Sequence, residues 1–434
     1  MFDFGIFFVI TASVIFWFVF LAAFVHICRK SAGKPDISWG EIAHKFINTI
    51  ASEQGKPHIY IKVAVFGLYI RLAMLLLGYL VLYFRGHDPT IASLLESFVQ
   101  GDAPHYLNIA EFGYGWTDEL GRNRLLVFFP LYPYMVRALG LALGNYLAAA
   151  YIISFAGYCV GLIYLYRLVR VDFSARIAWW TVILLSVSPH SFFFGAPYTE
   201  SLFLLTTVTT LYYIRTHKWL LAGIAGAFAA SSRMVGIILF IVAVSELIMH
   251  YKIFELIKNS KWREALRLIF KKGAWLLLMF LGSGFYLFIN WQIFGDPFRF
   301  LHYQEEYWSN TFQYFGTSMM TQFSNVTNPL QWGRATTFVP NITAFAFAIL
   351  MLFYAHIKRL NAVYIVYTLG YIFISFSPAW LLSGGRYAAA CATLFIFLAH
   401  FIEDKPKLRI IVTLAFFAGL MIMMGEFIVG GPVF

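Results

Sequence analysis

The sequence has little charge and little cysteine. Of its 434 residues, 12% are charged and three are cysteines. Each cysteine lies inside or at the end of an apolar run, so neither a disulfide framework nor a zinc site is indicated. The chain also lacks HExxH, paired carboxylates at DxD spacing and GxxxxGK[ST]. It therefore shows no common motif for a catalytic metal or a nucleotide phosphate, and no internal repeat, low-complexity segment or soluble domain is evident.

Apolar runs dominate instead. Hydrophobic residues make up 60% of the chain, and the mean hydropathy is +0.72. Runs of roughly 17 to 25 apolar residues recur, which predicts an all-α polytopic membrane protein with a bundle of about twelve transmembrane helices. A transmembrane β-barrel would show short alternating segments instead. The candidate spans are 4–28, 61–84, 146–167, 177–195, 199–214, 219–232, 234–251, 273–294, 340–357, 362–380, 387–402 and 409–429.

The basic residues orient these spans. The apolar stretch 128–144 is short, holds two prolines near its start and carries Arg137, so we predict an amphipathic helix on the membrane surface. With that placement, 23 of the 32 lysines and arginines, including every lysine, fall on one side, which the positive-inside rule makes cytoplasmic. Both termini and two long loops, about 85–145 and 295–340, then face outward. The basic segment 251–273 is predicted to be a cytoplasmic interfacial helix on anionic lipid, with partner binding as the alternative.

The unusual polar clusters all fall on the outer side in this topology. Loop residues without a common role would be scattered over both faces, whereas these clusters converge on one. They predict an outward-opening site between helix ends and the two long loops. The clusters are "GDAPHY" (101–106), "NIAEFGYGW" (108–116), "VFFPLYP" (127–133), "GAPYTES" (195–201), "SSRMVG" (231–236), "FGDPFRFLHYQEEYW" (294–308) and "SGGRYAA" (383–389).

Asp102 is the candidate catalytic residue. A carboxylate at the membrane surface can act as a general base that accepts a proton from a hydroxyl nucleophile. The same stretch also has the pattern of a helix with Asp102 as its N-cap, a proline in the first turn and a glycine at the end, so a purely capping role stays open. His105 lies one turn further on the same face. It either orients the acceptor or a phosphate or is simply solvated.

The candidate binding residues include three arginines. Arg233 interrupts an apolar stretch, where a guanidinium is costly unless it is paired, and Arg386 follows "SGG" at the head of another span. With Arg299, which otherwise snorkels to the surface, they suit a phosphate because a guanidinium donates paired hydrogen bonds. Glu200 either binds substrate or stabilises a helix start, and Arg71 is a further costly charge with no indicated partner. The substrate-binding candidates are His105, Tyr106, Glu200, Arg233, Arg299, His302, Gln304, Arg386 and Tyr387.

Several motifs, in a fixed order, resemble one family. "HYLNIAEFGYG", "FFPLYP", "PYTESLF", "SSRMVG" and "FGDPFRFLHYQ" resemble the PIG-V family of GPI mannosyltransferases and, more broadly, the GT-C class of membrane glycosyltransferases. The resemblance runs from about residue 60 to 390. It implies an extra N-terminal transmembrane helix and basic cytoplasmic linker at 1–60, followed by a GT-C-like catalytic domain at 61–430. Gly101 departs from the family pattern, in which an aromatic residue usually precedes the aspartate.

The resemblance implies roles for individual residues. Asp102 corresponds to the catalytic base, His105 to its neighbour in the site, and Arg233 and Arg386 to phosphate contacts. The implied donor is dolichyl- or polyprenyl-phosphate-mannose, with no metal or other cofactor. The inventory agrees with this chemistry, because a sugar phosphate leaves as a stabilised anion and one carboxylate base is then sufficient.

The expected activity is that of an inverting glycosyltransferase. It moves a hexose, with mannose favoured, from a polyprenyl-phosphate donor to a hydroxyl of a glycolipid, glycan or protein. The expected partners are this donor, the acceptor and membrane lipids, without nucleic acid. The expected location is a prokaryotic plasma membrane, or the ER membrane in a eukaryote, with the site on the extracytoplasmic side. The alternative is a transporter or flippase of a lipid-linked sugar, which predicts inverted repeats and polar groups near the bilayer midplane.

Overall fold

The computed structural model describes residues 4–33, 57–117 and 123–434. Within these ranges the regular elements are helices, and the extended contacts amount to one isolated bridge between Phe312 and Pro378. The first half comprises α1 (Phe4–Ser31), α2 (Pro57–Phe84), α3 (Ile91–Ser97), α4 (Ala103–Phe112), α5 (Leu131–Leu143), α6 (Tyr146–Asp172), α7 (Ala175–Val187), α8 (Glu200–Arg215), α9 (Trp219–Ser232) and α10 (Ile238–His250). The second half comprises α11 (Ile253–Lys258), α12 (Trp262–Leu268), α13 (Met279–Phe294), α14 (Arg299–Trp308), α15 (Phe315–Thr327), α16 (Val339–Ile357), α17 (Ala362–Ser375), α18 (Gly384–Ala390), α19 (Ala392–Phe401) and α20 (Pro406–Ile428).

The predicted all-α class is confirmed, and a helix lies in each predicted span. In the described part of the chain, six helical runs are long and apolar enough to cross a membrane: Thr11–Ser31, His58–Phe84, Tyr146–Asp172, Trp262–Phe294, Arg334–Ile357 and Pro406–Ile428. The other apolar helices are shorter, so the total of twelve spans stays a prediction. The stretch 128–144 contains helix α5, and its placement on the membrane surface stays a prediction, while the basic linker before residue 60 lies largely outside the described residues.

The basic segment 251–273 departs from its prediction. It is not one interfacial helix, because α11 ends before Asn259 and Ser260 adopts a left-handed φ of +59°. From Trp262 onward the helical run continues without a break into the span that ends at Phe294. The helical spacing of apolar and basic residues does not reveal a turn of this kind, because Asn and Ser occur both in helices and in turns.

Helices α6 and α8 pack closely at the centre of the bundle because glycines face the contact. A Cβ on Gly161 would lie 3.3 Å from the backbone nitrogen of Leu205, and one on Gly157 would lie 3.4 Å from the backbone carbon of Ser201. Small residues let helix backbones approach in this way inside a membrane. The contact fixes the start of α8, which begins at Glu200.

Arg71, whose partner the sequence did not indicate, holds the turn that leads into α8. Its side chain is buried in α2, where Nη1 donates to the carbonyl of Ser191 at 2.5 Å and Nη2 to the carbonyl of Ser186 at 3.1 Å. The guanidinium also lies over the ring of Tyr158 at 4.3 Å. A buried arginine is costly unless it is paired, and here its two Nη atoms bind the C-terminal end of α7 and the first residue of the turn Ser191–Gly195.

A network of charged side chains joins the helices at the end of the bundle that carries the lysines. Arg215 donates to both carboxylate oxygens of Asp172, at 2.6 and 3.0 Å, and to Glu246 at 2.7 Å. The hydroxyl of Tyr364 donates to Asp172 at 2.5 Å. These contacts tie the ends of α6, α8 and α10 to the start of α17, at the end of the bundle that carries the lysines. The polar clusters predicted to form the site lie at the other end.

Candidate active site

Four charged residues from distant parts of the chain meet at one end of the bundle. Asp102 immediately precedes α4, and Glu200 begins α8. Arg233 follows the last residue of α9, and Arg386 lies in the short helix α18. Helix ends supply most of these positions, and one of these helices, α8, is held at its other end by the contacts of Arg215 with Asp172 and Glu246.

The four side chains form a line of alternating charge. Arg386 donates through Nη2 to Oδ2 of Asp102 at 2.8 Å, and its Nε lies 3.1 Å from Oε1 of Glu200. Arg233 donates through Nη2 to the same Glu200 oxygen and through Nε to the hydroxyl of Thr199 at 2.9 Å. Glu200 is therefore shared by both guanidinium groups. We call this set the charge chain: Asp102, Arg386, Glu200, Arg233.

Burial makes these pairings important. The side chain of Glu200 is 1% exposed, those of Arg386 and Arg233 are 8% and 14% exposed, and that of Asp102 is 28% exposed. Charges this deeply buried persist only when opposite charges neutralise them. Asp102 is the most accessible of the four.

Asp102 does not act as the helix cap that its position suggests. The helix begins at Ala103, with Pro104 in its first turn and Gly113 after its last residue, as the sequence predicts. The side chain of Asp102, however, makes no capping hydrogen bond, and its backbone is helical (φ −78°, ψ −20°) rather than extended. The carboxylate turns to Arg386 instead, so an exclusively capping role is wrong.

Gly101 and Tyr198 fix the backbone at Asp102. The Tyr198 hydroxyl donates to the carbonyl of Gln100 at 2.5 Å and accepts from the backbone N–H of Asp102 at 3.2 Å. Gly101 has a φ of +56°, and a Cβ there would lie 2.7 Å from that hydroxyl. Glycine is required here both for its backbone conformation and for lack of space, which accounts for the absence of an aromatic residue before the aspartate.

We expect Gly101→Ala to displace Asp102. A left-handed alanine costs about 1–2 kcal/mol, and its methyl group also pushes against Tyr198. The melting temperature in detergent should fall, because the backbone strain is accompanied by displacement of the contact between Asp102 and Arg386. Gly115→Ala is the matched control, since nothing lies within 4 Å of a Cβ there. Equal effects of the two substitutions would contradict the role of this turn.

His105 and Tyr106 form an aromatic wall beside Asp102. The His105 ring stacks on Phe128 with centroids 5.0 Å apart and meets Trp308 edge-on at 6.0 Å. Burial lowers the pKa of His105 below its ordinary value despite the nearby Asp102 carboxylate, so the imidazole is uncharged at neutral pH. Burial, reinforced by Asp102, raises the pKa of Tyr106, which keeps its hydroxyl protonated.

The segment predicted from "FGDPFRFLHYQ" divides between two locations. Gln304 lines the same cavity as Arg233 and Arg386. Arg299 instead lies over the ring of Tyr303 on its own helix at 4.8 Å, and His302 is 3.6 Å from Asp296 with its side chain 63% exposed. The structure therefore brings two of the three predicted arginines together, and binding roles for Arg299 and His302 stay predictions.

A cavity of about 1200 Å³ opens beside the charge chain. One part of its lining is polar: Tyr106, Ser232, Arg233, Gln304, Arg386 and Tyr387. Most of the remaining lining forms a long apolar groove along α1 (Phe16, Trp17, Phe20, Ala23, Phe24, Ile27), α10 (Ile238, Ile241, Ser245) and α17 (Val366, Leu369, Gly370, Phe373, Ile374), although Glu305, Asn310, Thr311 and Ser375 also line the cavity. Asp102 meets this cavity through Arg386.

Several residues of this site are not among those predicted from the sequence. Tyr198 and Thr199 lie inside the "GAPYTES" cluster that was singled out, and the buried charges beside them were the available signal. The sequence contains no signal for the lining residues of α1, because an apolar helix face has the same composition whether it lines a groove or faces the bilayer. Among the described residues, no group of three or more His, Cys, Asp or Glu side chains is placed to hold a metal, and a metal-free reaction stays a prediction.

Residues 87–296 match the model of the mannosyltransferase (PIG-V) family. This region holds Asp102, Glu200 and Arg233, whereas Arg386 lies beyond it. A search of curated proteins gave no match.

Solved structures of the oligosaccharyltransferase of Archaeoglobus fulgidus are similar at low identity. The apo form has a TM-score of 0.45 and 12% identity, covering 88% of this chain and 57% of that one. The form tethered to an acceptor peptide has a TM-score of 0.46 and 13% identity, covering 87% and 56%. The chain thus spans little more than half the length of these proteins. The family match over residues 87–296 confirms the predicted resemblance: this region of the chain is similar to the PIG-V mannosyltransferases.

Proposed function

We propose that the chain transfers a mannosyl residue from a polyprenyl-phosphate donor to a hydroxyl of an extracytoplasmic glycolipid, glycan or protein, with Asp102 as the general base. The observation that carries the proposal is the charge chain at the polar part of an apolar cavity. Two arginines face that cavity, and one carboxylate stands behind Arg386. A lipid phosphate has an anionic head, which would bind at the arginines, and an apolar tail, which would lie in the apolar part of the cavity.

The arginines have donors to spare for a phosphate. A guanidinium carries five N–H groups, whereas the contacts of the charge chain involve Nη2 and Nε of Arg386 and Nε and Nη2 of Arg233. The ring centroid of Tyr387 lies 5.7 Å from the Arg386 guanidinium and 5.9 Å from that of Arg233. A phosphate beside Tyr387 would receive hydrogen bonds from both arginines, as planar donors favour.

The proposed reaction is a single displacement. The acceptor hydroxyl gives its proton to Asp102 as its oxygen bonds to the anomeric carbon. The bond from that carbon to the phosphate oxygen breaks, and polyprenyl phosphate leaves with the electron pair. Because Arg386 and Arg233 support the departing charge, no proton donor is required for the leaving group. One displacement inverts the anomeric configuration.

The accessibility of Asp102 suits this order of events. Its carboxylate is bound by Arg386 on one side and is still 28% exposed. An acceptor hydroxyl therefore has access to the base, while the donor phosphate contacts the other donors of the same arginine. Donor and acceptor would meet around Arg386.

Purified protein in liposomes tests the proposal directly. Polyprenyl-phosphate-mannose with a labelled sugar is supplied with candidate lipid, glycan and peptide acceptors, with and without EDTA. We expect label in an acceptor product of inverted configuration, release of polyprenyl phosphate and no loss of rate with EDTA. Label that crosses the bilayer with its lipid linkage intact, and no transfer to any acceptor, would support the transporter in place of the transferase.

A further inference from the structure

One wall of the apolar groove is formed by α1, the helix ahead of the predicted catalytic domain. Its lining residues recur at helical spacing: Phe16, Trp17, Phe20, Ala23, Phe24 and Ile27. They make one continuous face from Phe16 to Ile27, which is roughly 16 Å long at the rise of an α-helix. Four of the six are aromatic.

Helix α1 is fixed against the rest of the bundle at both ends of this face. The ring of Phe16 packs against Phe315 with centroids 4.9 Å apart, and the indole N–H of Trp17 donates to the hydroxyl of Tyr314 at 3.1 Å. Beyond Ile27, the hydroxyl of Ser31 accepts from the backbone N–H of Phe254 at 2.9 Å. The helix is therefore a built part of the groove.

The aromatic side chains between these anchors remain half-exposed. Trp17, Phe20 and Phe24 are 45%, 47% and 58% exposed, although each lines the groove. The opposite wall, from α10 and α17, is also apolar. An apolar ligand that lies between these two walls would cover the rings.

The charges at one end of the groove identify the ligand class. Arg233 and Arg386 lie at the polar part of the cavity, and Phe24 and Ile27 lie farthest along α1 toward the lysine-rich end of the bundle. An anionic head at the arginines therefore places an apolar chain along α1. A free sugar phosphate would use only the polar part and leave the rings exposed.

We propose that α1 selects the isoprenoid chain of the donor, an inference that rests on the proposed function. Trp17 and Phe20 contact the part of the chain near the phosphate, and Phe24 and Ile27 contact its more distant part. A short-chain donor ends before Phe24. The helix thus makes the enzyme prefer long-chain donors, whereas the charge chain binds the phosphate of a long and of a short donor equally.

Chain-length selectivity after substitution in α1 tests this inference. Mannosyl phosphates of undecaprenol and of prenol, which has a single isoprene unit, serve as the long and short donors, with Phe24→Ala and Leu21→Ala as the variants. Leu21 is on the same helix, is 61% exposed and does not line the groove. We expect Phe24→Ala to raise KM for the long donor about tenfold, as loss of one buried aromatic contact predicts, with kcat unchanged. The short donor and Leu21→Ala should change by less than about twofold.

The outcomes separate the inference from the proposed function. If the wild type transfers sugar from both donors, and Phe24→Ala raises KM equally for the long and the short donor or for neither, the role of α1 is overturned. The proposed function is then left intact. Absence of transfer from either donor by the wild type overturns the proposed function. In that case the role of α1 is still tested by the binding of undecaprenyl phosphate, which carries no sugar, measured as quenching of tryptophan fluorescence. Equal affinity of the wild type and Phe24→Ala for this ligand would overturn the role of α1.

Discussion

Replacing Asp102 with asparagine should abolish sugar transfer while the protein stays folded and binds its donor. Asparagine has the size of aspartate and keeps an oxygen that can accept from Arg386, so the 2.8 Å contact has a substitute. It cannot accept the proton of the acceptor hydroxyl. A general base contributes about 10²- to 10⁴-fold to a rate, and kcat for transfer should fall by that factor with little change in the affinity for polyprenyl phosphate.

The matched control for this experiment is Glu111→Gln. Glu111 is an exposed acid on α4, the helix that begins directly after Asp102. The same change of charge at Glu111 should leave transfer within about twofold of the wild type. Transfer by Asp102→Asn at the wild-type rate would remove Asp102 from the catalytic role. A rate lost together with donor binding would show that its contribution is to hold Arg386.

The sequence was most informative where physical cost limits the choices. Long apolar runs predict membrane helices because few other structures satisfy the backbone in lipid. The side on which lysine and arginine accumulate then places the remaining polar clusters together. Asp102, Glu200, Arg233 and Arg386 are separated by up to 284 positions, yet the prediction that their clusters share one end of the bundle agrees with the structure.

Other features depend on contacts that leave no trace in residue type. Arg71 binds backbone carbonyls of Ser186 and Ser191, and every residue carries a carbonyl. The shared position of Glu200 between two arginines follows from side-chain directions that spacing alone does not give. Arg299 has the same residue type and the same predicted side as Arg233, but a tyrosine on its own helix holds it.

Replacing Glu200 with glutamine should destabilise the protein more than any other change of a single charge in the site. Glu200 is 1% exposed and accepts from Arg233 while lying 3.1 Å from Nε of Arg386. Glutamine keeps the shape but removes the negative charge, which leaves two buried guanidinium groups with Asp102 as their remaining partner in the charge chain. Breaking a buried ion pair in this way costs about 3–5 kcal/mol, and the melting temperature in detergent should fall accordingly.

Added polyprenyl phosphate should partly reverse that loss. A ligand that binds only the folded state stabilises it, and a phosphate between the arginines replaces the missing negative charge. The rise in melting temperature on adding polyprenyl phosphate should therefore be larger in Glu200→Gln than in the wild type. Transfer should still fall by about 10²-fold, because Arg386 and Arg233 lose the carboxylate that aligns them.

The double variant Glu200→Gln with Arg233→Gln separates charge balance from phosphate binding. It removes one negative and one positive charge, so the charge chain is again neutral with Asp102 paired to Arg386. Its melting temperature should recover toward the wild-type value, while the affinity for polyprenyl phosphate stays low because one of the two arginines is gone. Equal melting temperatures of wild type and Glu200→Gln would show that Glu200 is not the neutralising partner. Full phosphate affinity in the double variant would show that Arg233 does not bind the donor, and that Arg386 alone holds the phosphate against which Asp102 acts.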